Sequence, residues 1–138
     1  MDSRCIQVRQ AQQALNHSVR RLRACTEDHV TEAYHEVLRT AEHLFWLEQI
    51  LMEDYRFPAR QTHLEQHARV LRGLHCVHCA VLQGDTGQGR HAGGELLTQW
   101  MRLHQDTIDA AFQLWMDYCD CGLIDPHSTQ ASPQFTAH

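Results

Sequence analysis

Apolar residues recur at three- and four-residue steps along four stretches of the chain, the pattern of helices that each hide one face. The first stretch runs from about Cys5 to Cys25, with Val8, Ala11, Gln12, Leu15, Val19 and Leu22 on one side. The second follows Thr26-Glu27-Asp28, which offers an N-cap, and carries Val30, Tyr34, Val37, Ala41, Leu44, Glu48, Leu51, Met52 and Tyr55. Pro58 breaks it, because proline inside a helix forfeits a backbone hydrogen bond. The third spans about Ala59 to Leu82 through His63, His67, Val70, Leu71, Leu74, His78 and Val81. Residues 84–94, from Gly84 to Gly94, read as a loop by composition. The fourth helix then presents Leu97, Trp100, His104, Ile108, Ala111, Trp115 and Tyr118.

Short connections between long amphipathic helices favour antiparallel neighbours. The expected fold is therefore all-α: an up-down-up-down antiparallel four-helix bundle over residues 1–121, followed by a flexible C-terminal tail over 122–138. No internal repeat or low-complexity tract interrupts it.

Composition narrows this picture. With 138 residues the chain fits one domain with a real core. Seven glycines and three prolines are few, which disfavours a turn-rich β architecture. Twelve basic residues against seventeen acidic ones give a net charge of −5. Arg20, Arg21 and Arg23 make a solvated helix face rather than a phosphate-binding stripe, so nucleic acid is not an expected partner. No apolar run is long enough to span a bilayer, and Met-Asp-Ser-Arg is not a signal segment. A cytoplasmic protein with reduced cysteines is expected.

Twelve histidines in so short a chain is the anomaly, and histidine is the commonest metal ligand. Glu48 sits within an apolar stripe between Leu44 and Met52, where a bare carboxylate is costly unless paired or metal-bound. His63 and His67 form an HxxxH pair on one helix face, with Cβ atoms roughly 5–6 Å apart. His104 and Asp109 add an HxxxxD pair, about 140° apart around an ideal α-helix. In alternating helices these residues fall in one layer. Three imidazoles and two carboxylates suit Fe, Zn or Mn, as one ion holding the whole set or two ions bridged by the carboxylates.

These motifs resemble the hemerythrin and bacteriohemerythrin family over roughly residues 8–119. The segment from Glu48 to Pro58 is similar to the family's run of glutamate, methionine and proline-ended turn. His63-Leu-Glu-Gln-His67 is similar to its HxxxH, and Trp100-Met-Arg-Leu-His104 through Asp109 to its WxxxHxxxxD. The resemblance implies a non-haem, carboxylate-bridged diiron centre that binds dioxygen, with His63, His67 and His104 on one iron and Glu48 and Asp109 as bridges. Two family histidines on the second iron are replaced here by Gln12 and Leu44, so that iron's shell is depleted, and a mononuclear site stays open beside a dinuclear one. His43 lies one residue from the expected place; a π-bulge, frequent at functional sites, would bring it in, and otherwise it sits partly exposed at a helix interface. His17 falls off the apolar stripe.

Cys76 and Cys79 form a CxxC within the third helix. Cys25, His35, His78 and His91 are expected near one another at the far end of the bundle, and Cys5, Cys119 and Cys121 near the chain ends. Neither set has a zinc-finger spacing. Three functions compete on this reading. The first is a non-enzymatic iron protein that binds dioxygen or another diatomic ligand for delivery, storage or sensing. The second is a regulatory bundle with one ion or none. The third is an oxidoreductase of peroxide or nitric oxide.

Overall fold

The computed structural model describes residues 3–128, and those residues are all-helical, with no strand among them. Helix α1 covers Ser3–Ala24, a 3-10 turn Glu27–His29 leads into α2 (Val30–Asp54), and α3 covers Arg60–Leu82. A fourth rod is built from five consecutive pieces: α4 (Thr86–Gly89), a π-helical segment (Arg90–Leu96), α5 (Leu97–His104), a second π-segment (Gln105–Asp109) and α6 (Ala110–Asp120). Of the expected tail over 122–138, residues 129–138 lie outside the described residues.

Each helix end has a local cause. Helix α2 stops where Arg56 turns left-handed at φ 47° and the Phe57 N–H reaches back to the Met52 carbonyl at 3.0 Å. That is a Schellman closure, with Pro58 immediately beyond. Helix α3 ends at Gly84, whose φ of 98° suits glycine. One residue later the Asp85 carboxylate accepts the Gln88 N–H at 3.2 Å and caps α4.

The glycine-rich stretch 84–94 is thus not the expected loop: from Thr86 onward it is helical. Gly89 and Gly93 within it serve packing. A Cβ on Gly89 would lie 2.6 Å from Val81 Cγ2, and one on Gly93 would lie 2.8 Å from Leu22 Cδ2 and 3.2 Å from the Tyr34 ring. Arg90, in the same stretch, donates to the carbonyls of Leu22 at 2.8 Å and Cys25 at 2.6 Å, satisfying the open end of α1. Gly89→Ala should therefore cost about 1–3 kcal/mol through overpacking, more than the helix propensity it gains. Gly73→Ala, in mid-α3 with nothing within 4 Å, should gain about 0.5–1 kcal/mol. Thermal unfolding of the two variants checks the contrast, which opposite shifts in Tm would bear out.

Two apolar clusters make up the interior. The larger joins Leu15, Leu22, Tyr34, Val37, Leu44 and Val81 with Leu97 and Met101; the smaller joins Leu51, Met52, Phe57, Phe112 and Met116. Tyr34 is buried, and its hydroxyl donates to the Leu74 carbonyl at 2.5 Å, tying α2 to α3. Along α2, Glu48 falls between Leu44 of the first cluster and Leu51 of the second. Along the fourth rod, His104 likewise falls between Met101 and Phe112. The polar layer sits at the seam between the two clusters.

The second π-segment also corrects the expected face of the last helix. A π-turn places one more residue in the turn than an α-turn, so the apolar stripe beyond it advances by one position. Phe112 and Met116 are buried, whereas Ala111 and Tyr118 are exposed. Trp115 is half-buried, with its indole N–H donating to the Tyr55 carbonyl at 2.8 Å.

Candidate metal centre

Four side chains from three rods meet in this layer: Glu48 from α2, His63 and His67 from α3, and His104 from the end of α5. All four are buried, and one donor atom from each lies within 4.8 Å of the others, a group that could hold a metal ion. His104 Nε2 stands 2.9 Å from His63 Nε2 and 3.2 Å from His67 Nε2. Glu48 Oε2 stands 3.0 Å from His67 Nε2 and 3.5 Å from His63 Nε2.

Asp109 flanks the group on one side, its Oδ1 lying 3.0 Å from His63 Nε2 and 3.2 Å from His104 Nε2. On an α-helix Asp109 would point well away from His104. The π-segment Gln105–Asp109 reduces that offset, since i→i+5 hydrogen bonding widens the turn and brings residue i+5 back toward residue i.

The donor set fits a cation better than it fits itself. Three Nε2 atoms aim at one point, and each imidazole brings at most one proton to that nitrogen. Glu48 Oε2, facing the three Nε2 atoms, is buried without a hydrogen-bond partner, a desolvation cost of about 1–3 kcal/mol that a bound cation would offset. The spacings of about 3 Å match neighbouring donors in an octahedral shell with bonds of about 2.1 Å.

The rings are held from outside. Phe45 stacks on His67 with centroids 4.0 Å apart, and Trp100 stacks on His104 at 4.4 Å. His104 Nδ1 lies 2.9 Å from Gln66 Oε1. A carbonyl oxygen only accepts, so Nδ1 carries a proton, and Nε2 is the nitrogen that would present its lone pair to a bound ion. Gln66 and Phe45 were not singled out by the sequence; the available signal was that Gln66 directly precedes His67 and that Phe45 lies three residues before Glu48. Gln66→Leu should weaken metal binding by about tenfold to a hundredfold, with the fold intact, as read by competition against a chelating dye.

Electrostatics in the metal-free protein follow from the same contacts. Burial works against the His63 cation, but the Asp109 and Glu48 carboxylates outweigh it and push its pKa up to about 9. Burial also works against the Asp109 anion, yet hydrogen bonds from His104 and His63 pull it down to about 2. For His67 burial wins over Glu48, and its pKa falls below the usual imidazole value.

Other expected positions are placed differently. His43 is exposed on an unbroken α2, stacked on Trp46 at 6.3 Å, because the π-turns lie in the fourth rod and none rotates it inward. It is not brought to the centre. Leu44 is fully buried in the apolar core, and the Gln12 amide donates to Asn16 Oδ1 at 3.3 Å. His17 is exposed. At the far end, the rings of His35 and His78 approach to 5.7 Å, but His91 pairs with Glu95 at 3.1 Å. No second group of ligating residues forms among the described residues. Cys25, Cys76, Cys79, Cys119 and Cys121 are free thiols.

Searches against known protein families, curated proteins and solved structures found no match to this chain. Among the described residues no helix is long and apolar enough to cross a membrane.

Proposed function

We propose that this chain is a hemerythrin-like up-down-up-down bundle that holds one non-haem iron ion and binds dioxygen or another small diatomic ligand. The single observation that carries the reading is the convergence of three buried histidine Nε2 atoms and the Glu48 carboxylate from three rods, with Asp109 Oδ1 3.0–3.2 Å from two of those histidines. Imidazole and carboxylate donors suit iron and disfavour thiophilic ions. The four mutually close donors, with Asp109 beside them, leave a place in an octahedral shell for a small ligand. One ion is preferred over two because Leu44, buried in the apolar core, offers no donor and Gln12 offers only a neutral amide oxygen, a weak ligand beside imidazole and carboxylate.

Anaerobic reconstitution with ferrous iron, followed by metal counting and absorption spectra before and after air, tests this. The expected result is one iron per chain and a visible band that appears with air and disappears when oxygen is removed. No bound iron would overturn the reading. One bound iron with a spectrum indifferent to air would make the ion a structural brace. Sustained turnover of added peroxide without loss of iron would instead support an oxidoreductase.

A further inference from the structure

The carboxylate side of the centre opens into a cavity of about 530 Å³ between α1, α2 and the fourth rod. Glu48 and Asp109 form part of its wall, and none of the three clustered histidines does. A water molecule's share of liquid volume is about 30 Å³, so this space far exceeds the needs of a diatomic gas. It falls within the size range of sites for small organic molecules, about 300–1,000 Å³.

The lining has a direction. Leu51, Phe112 and Met116 are buried apolar side chains beside the inner carboxylates, and Val8 closes the α1 side. Toward solvent the wall carries exposed Asp117, Asp120 and Arg9; Asp117 Oδ1 accepts the Gln113 amide at 3.0 Å and Asp120 Oδ1 the Tyr55 hydroxyl at 2.8 Å. The cavity thus sets four carboxylates against a single cationic side chain. A cation bound at the centre would neutralise the inner pair and leave the outer two still in excess. Both states favour a positively charged guest over an anion.

We infer that this cavity is a binding chamber for a small amphiphilic amine, with its ammonium group at Asp117 and Asp120 and its apolar body between Leu51, Phe112 and Met116. The far end of that body points at Glu48 and Asp109, so the chamber sets which organic molecule comes beside the metal centre; this role rests on the reading of that centre as a metal site.

The probes are phenethylamine and its isosteric anion phenylacetate, titrated into the full chain, metal-free and zinc-loaded, while backbone amide NMR shifts are followed. Phenethylamine should shift the amides of Leu51, Phe112 and Met116 saturably and bind at least about tenfold more tightly than phenylacetate. Val8→Trp should abolish binding by filling the space, with zinc content unchanged. Should that variant misfold, Asp117→Asn, an exposed change, should still weaken phenethylamine severalfold. Equal or tighter binding of phenylacetate, or no saturable shift with either probe, would overturn the inference. Saturable amine binding in a chain that takes up no metal would sink the proposed function and leave the chamber standing. Iron uptake without amine binding would do the reverse.

Discussion

Ferrous iron added anaerobically to the metal-free protein should raise its melting temperature by roughly 10 °C or more, and His63→Ala should erase that rise. A ligand present at a thousand times its Kd stabilises the folded state by about 4 kcal/mol, and for a chain of this size 1 kcal/mol corresponds to roughly 3–5 °C. His63 is fully buried and in reach of Glu48, Asp109 and His104 together. Its loss should weaken metal binding more than about a hundredfold, beyond the effect of an orienting residue. The same variant also strips Asp109 and Glu48 of a partner, so its metal-free form should itself melt lower. Direct titration calorimetry therefore decides the point more cleanly than Tm alone. His43→Ala serves as the control: exposed on α2, it should leave affinity unchanged, and a loss there as large as at His63 would misplace the centre.

The metal-free protein should also show a bell-shaped stability profile that peaks near pH 6.5, and bound metal should flatten its alkaline side. His63 is raised from 6.5 to about 9, so its stabilisation is complete below 6.5 and fades as pH climbs through 9. That pair contributes on the order of 3 kcal/mol at its fullest. His67 is shifted the other way; its native state resists protonation, so stability drops as pH falls below 6.5. Asp109, lowered from 3.8 to about 2, adds a further loss as pH descends from near 4 toward 2. Metal displaces the His63 proton, so uptake should release protons between pH 6.5 and 9 and affinity should rise across that interval. Denaturant midpoints measured with and without zinc from pH 5 to 9.5 check both limbs. A metal-free profile that keeps rising to pH 9 would contradict the His63–Asp109 pairing.

Much of the architecture could be read from apolar spacing alone. The stripes of Val30, Tyr34, Val37 and Leu44, and of Leu15, Val19 and Leu22, are buried where an uninterrupted α-period puts them. The layer containing Glu48, His63, His67 and His104 was legible for a related reason: polar groups in apolar stripes need an explanation, and their positions agreed in height. What stayed hidden depended on departures from the α-period or on close approach between rods. Gly89 and Gly93 looked like loop residues because composition does not distinguish a glycine that turns the chain from one that lets Leu22, Tyr34 and Val81 come close. Trp115 and Phe112 exchanged roles because a π-turn leaves no mark in hydrophobic spacing until the residues beyond it are seen to be out of step. Gln66 was invisible because its effect runs through the tautomer of His104, a property of a contact across two helices.

The second π-segment makes the centre sensitive to the number of residues in the chain as well as to their identity. Wound as an ordinary α-helix at its present length, 105–109 would swing everything downstream by about a quarter turn and withdraw Asp109 and Phe112 together. Deleting one residue from 105–108 would instead undo the π-turn and leave Asp109 four positions past His104, on the same face. The extra residue is thus the spare one: its loss would keep His104 and Asp109 side by side, while losing Ala110 or Ala111, just downstream, would leave Asp109 in place and turn Phe112 and Met116 away from the core.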